Sequence, residues 1–456
     1  EGDAITISGS VSDVNPGNEI SVYYSFGNGK TNAIPLGTID GSSPIPFSKT
    51  LTYSKGKFWD GQVEVSGVLN NVDPLLSVWA NDGTVDSLTQ TRQIHIDQPD
   101  NGNIYLPVNV VTTALLTSRM SPPVRLNNGW LVALLIDKGV TVSNQTYNRF
   151  YVSKDNGKTW TLAKSLGWSG GLYDLINATT TDGERVYFLF ATDAAVWLQG
   201  YNPVSNEWTQ TEAVQLDTAT SIDSVSLAIT PDRSTLWWAA STKNSTYPVS
   251  FNIRAGSVPI NPDGTVGTPG ENAQLTRYAT STINATKPVV VMKNDGFPLI
   301  AWQYASDIYI IHCRAWNGTG WNSSVLVYSG GSYTQSSPDA TRTPDGKIHI
   351  AWHGVDSTNT TTNYIRYSNS TDGAGWATAK KLVLGTNATI TSDPAGKLFI
   401  TYEDGGNIKR IESTDEFATW TSPVIVAPGS NPTSFYDPFF QTEFEIPPTL
   451  FRASGG

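Results

Sequence analysis

The sequence predicts an all-β chain in two parts, a β-sandwich over residues 1–98 and a six-bladed β-propeller over residues 104–456, joined by a linker at 99–103. Two observations carry this reading. The first part alternates apolar and polar residues in short stretches, broken by turn formers about every ten residues. The second repeats itself with a period of about fifty residues.

Residues 1–98 contain AITISGSV, EISVYYSF, QVEVSGVL, PLLSVWAND and RQIHID, separated by Gly, Pro, Asn and Asp. A period of two sends the apolar side chains to one face of each strand, so two sheets of such strands can close over a shared core. In Gly9-Ser10-Val11-Ser12-Asp13 and Ala80-Asn81-Asp82-Gly83 this part resembles the Ig-like or cadherin-like modules of extracellular and surface proteins. Asp97-Gln98-Pro99-Asp100-Asn101-Gly102-Asn103 then reads as a polar linker, and Asp97 and Asp100 could form part of a calcium site at the junction.

Beyond the linker, six segments align on a turn followed by an apolar run. They are Asn128-Gly129 before WLVALLI, Asp182-Gly183 before ERVYFLFA, Asp232-Arg233 before STLWWAA, Asp295-Gly296 before FPLIAW, Asp345-Gly346 before KIHIAW and Ala395-Gly396 before KLFITY. Counted at residues 129, 183, 233, 296, 346 and 396, the steps are 54, 50, 63, 50 and 50. That is the size of a four-stranded propeller blade, and runs apolar on both faces suit strands packed between neighbouring blades. Trp residues late in the repeats, such as Trp208 in YNPVSNEW and Trp321 in WNGTGW, fill the wedge between blades.

The hairpins supply the most specific motif. Ser153-Lys154-Asp155-Asn156-Gly157-Lys158-Thr159-Trp160 fits Ser-x-Asp-x-Gly-x-Thr-Trp at every fixed position. Ser and Asp side chains bond turn N–H groups, Gly supplies positive φ, and Trp plugs the space beneath. A second copy runs from Ser413 through Asp415 to Trp420, with Phe417 where Gly is expected; a third, from Ser370 through Asp372 to Trp376, is one residue short. These turns resemble the Asp box of sialidase-like β-propellers, where the motif is structural and lies on the face away from the active site.

Composition fits an extracellular or cell-surface location. The chain has 456 residues, one cysteine, 15% charged residues and a net charge of −11. Cys313 alone excludes an intrachain disulfide, an acidic surface repels nucleic acid, and no apolar stretch is long enough to span a membrane as a helix. No leader precedes Glu1, as expected of a chain already processed or excised from something longer. Nine Asn-x-Ser/Thr sequons, at Asn144, Asn177, Asn244, Asn284, Asn317, Asn322, Asn359, Asn369 and Asn387, all fall in the propeller.

The resemblance also implies what a catalytic member would need. Such enzymes hold the substrate carboxylate with three arginines, one of them in a Phe/Tyr-Arg-Ile-Pro motif at the first blade, and add an Asp acid soon after and a Tyr nucleophile activated by Glu. Arg119, in Ser118-Arg119-Met120-Ser121-Pro122, stands at the expected distance but lacks the aromatic and the proline. Arg125, Arg254, Arg314 and Arg342 are further arginine candidates, with no flanking motif to choose among them. Asp137 is the one Asp between Arg119 and the first Asp box, and it falls at a strand end instead of the loop. Tyr402-Glu403 and Tyr436-Asp437 pair the right residue types, yet strand neighbours point to opposite faces. His349 and His353, four apart in a strand, stand about 13 Å apart and cannot share a metal ion.

With no catalytic set assembled, the sequence reads as a non-catalytic extracellular glycoprotein, needing no cofactor. It would act in adhesion or as a subunit of a surface layer, sheath or fibre, through other surface proteins or self-assembly by the first module. The alternative is a propeller that binds glycans as a lectin does, or hydrolyses glycosides as sialidases do.

Overall fold

The computed structural model describes residues 4–13, 15, 17–26, 30–38, 44–54, 57–66, 75–93, 121–137, 147–167, 177–192, 194–306, 308–413, 415, 417–441, 444 and 446–453. None of these is helical. The chain divides into two compact units, Glu1–Ile104 and Tyr105–Gly456.

The first unit holds two antiparallel four-stranded sheets. One orders its strands Ala4–Val11, Ile45–Ser54, Lys57–Asp60, Val63–Glu64; the other Thr31–Thr38, Glu19–Ser25, Leu75–Asn81, Gln90–Gln93. Alternation does what the sequence leads one to expect, since Ile20, Val22 and Tyr24 are all buried along EISVYYS. Ile7, Leu51, Tyr53 and Phe58 from one sheet meet Tyr24, Phe26 and Leu76 from the other in a single core. Asp82 then closes the turn before the last strand, its Oδ1 accepting the N–H groups of Thr84 at 2.8 Å and Val85 at 2.7 Å.

In the second unit six antiparallel meander sheets follow one another along the chain. Their first, innermost strands are Val124–Arg125, Asn177–Thr181, Ser221–Ile229, Asn284–Met292, Gln335–Arg342 and Thr386–Ser392. Each second strand comes from the apolar run of a repeat, buried on both faces as in Val186–Ala191 and Thr235–Lys243. Consecutive sheets pack face to face. Leu189 and Leu198 of the second meet Leu227 and Trp238 of the third, and Val291 and Leu299 of the fourth meet Ile350 and Trp352 of the fifth.

The strand Val424–Ser434 belongs to two pairings. Its start is the outer strand of the sixth sheet, through Arg410↔Val424 and Lys409↔Ile425. Its end pairs with Thr449–Ala453, through Gly429↔Ala453 and Ser434↔Thr449. Leu450 of that last strand is buried against Ala133, Leu135 and Tyr151 of the first sheet, with Trp160 beside them. The circuit of sheets therefore returns to its beginning through a two-stranded element beyond the six aligned repeats.

That seam can be measured. Leu450→Ala should destabilise the chain by about 2–3 kcal/mol and Trp160→Ala, which is only partly buried, by about 3 kcal/mol. Because both fill one cluster, the double variant should lose less than the sum of the two. Strict additivity in denaturant melts would show that they do not share a seam.

Candidate functional site

Antiparallel meanders place the starts of the inner strands, and the loops from second to third strand, at one end of every sheet; the Ser-x-Asp turns lie at the other. At the first end a backbone irregularity recurs. Lys287, Ser337, Asn387 and Asn431 have φ of 53°, 53°, 51° and 51°, and the strand register shifts at each. This is a β-bulge with a non-glycine residue in the left-handed region, a conformation that costs of order 1–3 kcal/mol unless its surroundings hold it.

The surroundings are a side chain of the preceding sheet. The bulge N–H of Lys287 donates to Ser224 Oγ at 2.9 Å, that of Ser337 to Gln303 Oε1 at 3.3 Å, that of Asn387 to His353 Nδ1 at 3.1 Å, and that of Asn431 to Glu403 Oε2 at 3.1 Å. Gln303, His353 and Glu403 each follow the aromatic residue of Ile-Ala-Trp302, Ile-Ala-Trp352 and Ile-Thr-Tyr402. Strand alternation explains the division of labour: Trp302, Trp352 and Tyr402 are buried between sheets, and the next residue emerges on the opposite face as a polar cap.

Two of these caps converge. Asn387 Nδ2 donates to Glu403 Oε2 at 3.2 Å and to Asn431 Oδ1 at 3.0 Å, so one carboxylate oxygen collects the Asn387 amide and the Asn431 backbone. Glu403 lines a cleft of about 260 Å³ together with Asp404, Thr361, Thr362, Asn363 and Thr386. Asp404 is paired with Lys409 at 2.6 Å. On the neighbouring loop Asp356 takes Arg366 at 2.7 Å and Lys381 at 2.9 Å, and the Thr358 hydroxyl, with these two cations, holds its carboxyl well below the usual range. Lys287 Nζ reaches Ser337 Oγ at 2.8 Å and Ser336 Oγ at 3.2 Å. Burial first, and then the Lys287 charge, push the His353 pKa down to about 4. At neutral pH its imidazole is therefore uncharged, and because Nδ1 accepts from Asn387 the proton sits on Nε2.

In the three Ser-x-Asp turns the serine and aspartate side chains bond within the turn. Ser153 Oγ donates to Asp155 Oδ1 at 2.8 Å and accepts the Gly157 N–H at 2.8 Å; Asp155 accepts the Thr159 N–H at 2.9 Å, and Trp160 Nε1 donates back to Gly157 O at 3.1 Å. In the short copy Gly373 donates to Ser370 Oγ at 2.8 Å and Ala374 to Asp372 at 2.8 Å. Ser413 bonds Asp415 at 3.1 Å, and Phe417 takes φ 73° where glycine is expected. Its ring, edge-on to His349 at 4.2 Å, is buried, which offsets the backbone strain. Trp376 and Trp420 pack against the clusters between sheets, as do Trp208 and Trp321, so these aromatics serve the core.

The arginine candidates are not brought together. Arg125 donates to Asn156 at 2.6 Å, Arg254 pairs with Asp217 at 3.2 Å, Arg314 donates to Leu275 O at 2.9 Å and Arg342 to Lys293 O at 3.1 Å, each in a different sheet. Arg119, Asp97 and Asp100 lie outside the described residues, as does Asn144. Asp137 ends its strand opposite Tyr147. Tyr402 is buried away from Glu403, and burial, with Asp404 adding to it, pushes its pKa up to about 12. Tyr436 is likewise pushed up to about 12 by burial, while Asp437 caps a turn by accepting from Phe439 and Gln441. His349 is buried between Thr343 Oγ1 at 2.8 Å and Tyr367 Oη at 2.7 Å, remote in register from His353. Among the described residues no group of three or more His, Cys, Asp or Glu could hold a metal ion.

Of the sequons, Asn317 and Asn322 are exposed, whereas the Asn387 amide nitrogen is engaged in the network above. Asn244, Asn284 and Asn359 accept backbone N–H bonds, and Asn369 donates to Tyr367. Asn177 begins an inner strand. The sequence alone did not reveal Gln303, His353 and Glu403 as bulge caps, although their spacing of fifty was visible in it.

No protein-family model and no curated protein matches the chain. Among solved structures it is similar to an α-L-arabinanase of Penicillium chrysogenum complexed with arabinobiose, at 17% identity and TM-score 0.43, covering 63% of this chain and 90% of that one. It is similar to a GH93 α-L-arabinofuranosidase of Fusarium graminearum, at 13% identity and TM-score 0.41, over 64% of this chain and 92% of that one. A polysaccharide lyase, an ulvan lyase, matches at 9% identity and TM-score 0.46, over 69% of this chain and 86% of that one. Those three proteins are glycan-processing enzymes, not adhesins. They correct the expectation of a non-catalytic glycoprotein in adhesion or in a surface layer, sheath or fibre, and its alternative stands closer.

Two outcomes are expected at the structural groups. Asp155→Ala should cost about 1–2 kcal/mol, since it strips acceptors from the turn. Burial holds the His349 pKa down to about 3 from 6.5, so its contribution to stability is complete above pH 6.5 and is lost as the pH falls toward 3. Wild-type melting temperatures should fall over that window more steeply than those of His349→Gln; parallel curves would exclude the imidazole as the cause.

Proposed function

We propose that the second unit is a β-propeller that binds a neutral saccharide in the cleft beside Glu403. Supporting the propeller reading are the six meander sheets, their face-to-face packing and the closure through Leu450. On this reading the strand pair at 424–453 makes a seventh, two-stranded blade in addition to the six expected. The first unit fits an Ig-like sandwich, supported by its two facing four-stranded sheets.

The single observation that carries the functional reading is the lining of the cleft. Glu403, Asp404, Asn363 and the threonines are donors and acceptors of the kind that hold sugar hydroxyls, and carboxylates form the stronger, charge-assisted bonds. Of the two carboxylates Asp404 is already paired with Lys409, which leaves Glu403 as the charge that opposes an acidic sugar; two like charges about 4 Å apart repel by about 4 kcal/mol at an effective dielectric of about 20. A sialic acid is thus disfavoured and a neutral pentose or hexose chain is favoured.

A second reading, cleavage of the bound saccharide, is favoured by the anchoring of Glu403 Oε2 by two donors. A carboxylate fixed in this way can stabilise the positive charge that develops on a sugar ring as a glycosidic bond breaks.

Calorimetry with arabinopentaose, xylopentaose, cellopentaose and mannopentaose, alongside a reducing-end assay, tests both readings. At least one neutral oligosaccharide should bind, and Glu403→Gln should weaken it by about 10-fold or more while the melting temperature changes little. Binding that survives Glu403→Gln and Asp404→Asn together would move the site elsewhere. Release of new reducing ends by wild type, but not by Glu403→Gln, would establish cleavage.

A further inference from the structure

We propose that His353 is a positioning residue for the saccharide cleft: its unprotonated Nδ1 holds the Asn387 backbone, Asn387 holds the Glu403 carboxylate, and saccharide binding is therefore lost on acidification through this one imidazole. The inference rests on the reading of the cleft as a saccharide site.

The path is continuous in hydrogen bonds. His353 Nδ1 accepts the Asn387 N–H at 3.1 Å, and Asn387 Nδ2 donates to Glu403 Oε2 at 3.2 Å. Asn387 also sits at φ 51°, a left-handed conformation that the bond to His353 helps to hold. Protonation converts Nδ1 from acceptor to donor, so the Asn387 N–H would face another N–H. The support for the left-handed residue is then gone, and the amide that anchors Glu403 is released with it.

The repeats provide an internal control. Gln303 and Glu403 occupy the same place as His353 in the adjoining sheets and accept the same bulge N–H, from Ser337 and Asn431. A glutamine amide keeps its acceptor at any pH. Of the three caps only the imidazole loses its acceptor lone pair when protonated.

The groups around His353 set where this happens. Ser336 lies opposite it on the inner strand of its own sheet and Ile365 on the third strand, and neither carries charge. From the inner strand of the next sheet comes Asn387, and beyond it stands Glu403. Burial, and then Lys287 on the inner strand of the preceding sheet, bring the ring's pKa down to about 4.

Two measurements on the full chain decide the matter. In isotope-labelled protein the His353 ring, identified by its absence from His353→Gln, is titrated by NMR from pH 7 to pH 3.5 while the Asn387 backbone and side-chain amides are followed. The Asn387 signals should move with the His353 midpoint in wild type and stay still in His353→Gln. An unmoved Asn387 in wild type, or the same movement in the variant, overturns the proposal, and neither result requires a ligand. In the second measurement the four pentaoses are titrated at pH 7 and pH 4. Affinity should drop about 2-fold more in wild type than in His353→Gln, since at the midpoint half of the rings have lost the acceptor, while His353→Ala should be weak at both values. An equal acid loss in wild type and His353→Gln also overturns it. Absence of binding by all four sugars at pH 7 counts against the saccharide reading alone, and the Asn387 titration still judges the linkage.

Discussion

The second unit depends on one repeated contact, the capture of an inner-strand bulge N–H by a polar side chain of the preceding sheet. Either component alone would be unfavourable. A left-handed non-glycine residue is strained, and a buried N–H without an acceptor costs about 1–3 kcal/mol. Joined across the gap between sheets, they fix the stagger of neighbouring sheets with a directional bond that hydrophobic contacts cannot supply. The contact also forces polar groups to gather at one end of the inner strands, and the cleft beside Glu403 follows from that.

Much of the architecture was legible because it is periodic. The turn-plus-apolar-run pattern at Gly129, Gly183, Gly296, Gly346 and Gly396 marked the first-to-second-strand turns, and all five glycines have positive φ, as such turns require. The Ser-x-Asp turns were legible because their hydrogen bonds are local in sequence. The last pair of strands was not. Phe435-Tyr436-Asp437 and the residues after it lack the Asn/Asp-Gly punctuation, and Thr449–Ala453 is too short to stand out as an apolar run. The repeat read from the sequence therefore leaves that pair of strands out.

The site was less legible for a different reason. Its residues are defined by what the preceding sheet presents, and Gln303, His353 and Glu403 share no side-chain chemistry except the ability to accept a hydrogen bond. A search for a family's arginines and acid passes over such a set. Conversely, Arg254 and Arg314 looked available in the sequence, but Asp217 and the Leu275 carbonyl already occupy them. Tyr402 and Glu403 illustrate both sides of the matter. Strand alternation correctly excluded them as a nucleophile and its base, yet the same alternation delivers Glu403 to the cleft.

Leu450 lies more than three hundred residues along the chain from Ala133, which it touches. Contacts so distant in sequence are slow to form, because the entropy of closing the intervening loop is lost before the contact rewards it. During synthesis the face of the first sheet that carries Ala133, Leu135 and Tyr151 must wait uncovered while the other sheets emerge. The seam is thus a step at which a nascent chain is exposed to wrong pairing, and the cluster around Ala133 is covered only once the final strand has docked.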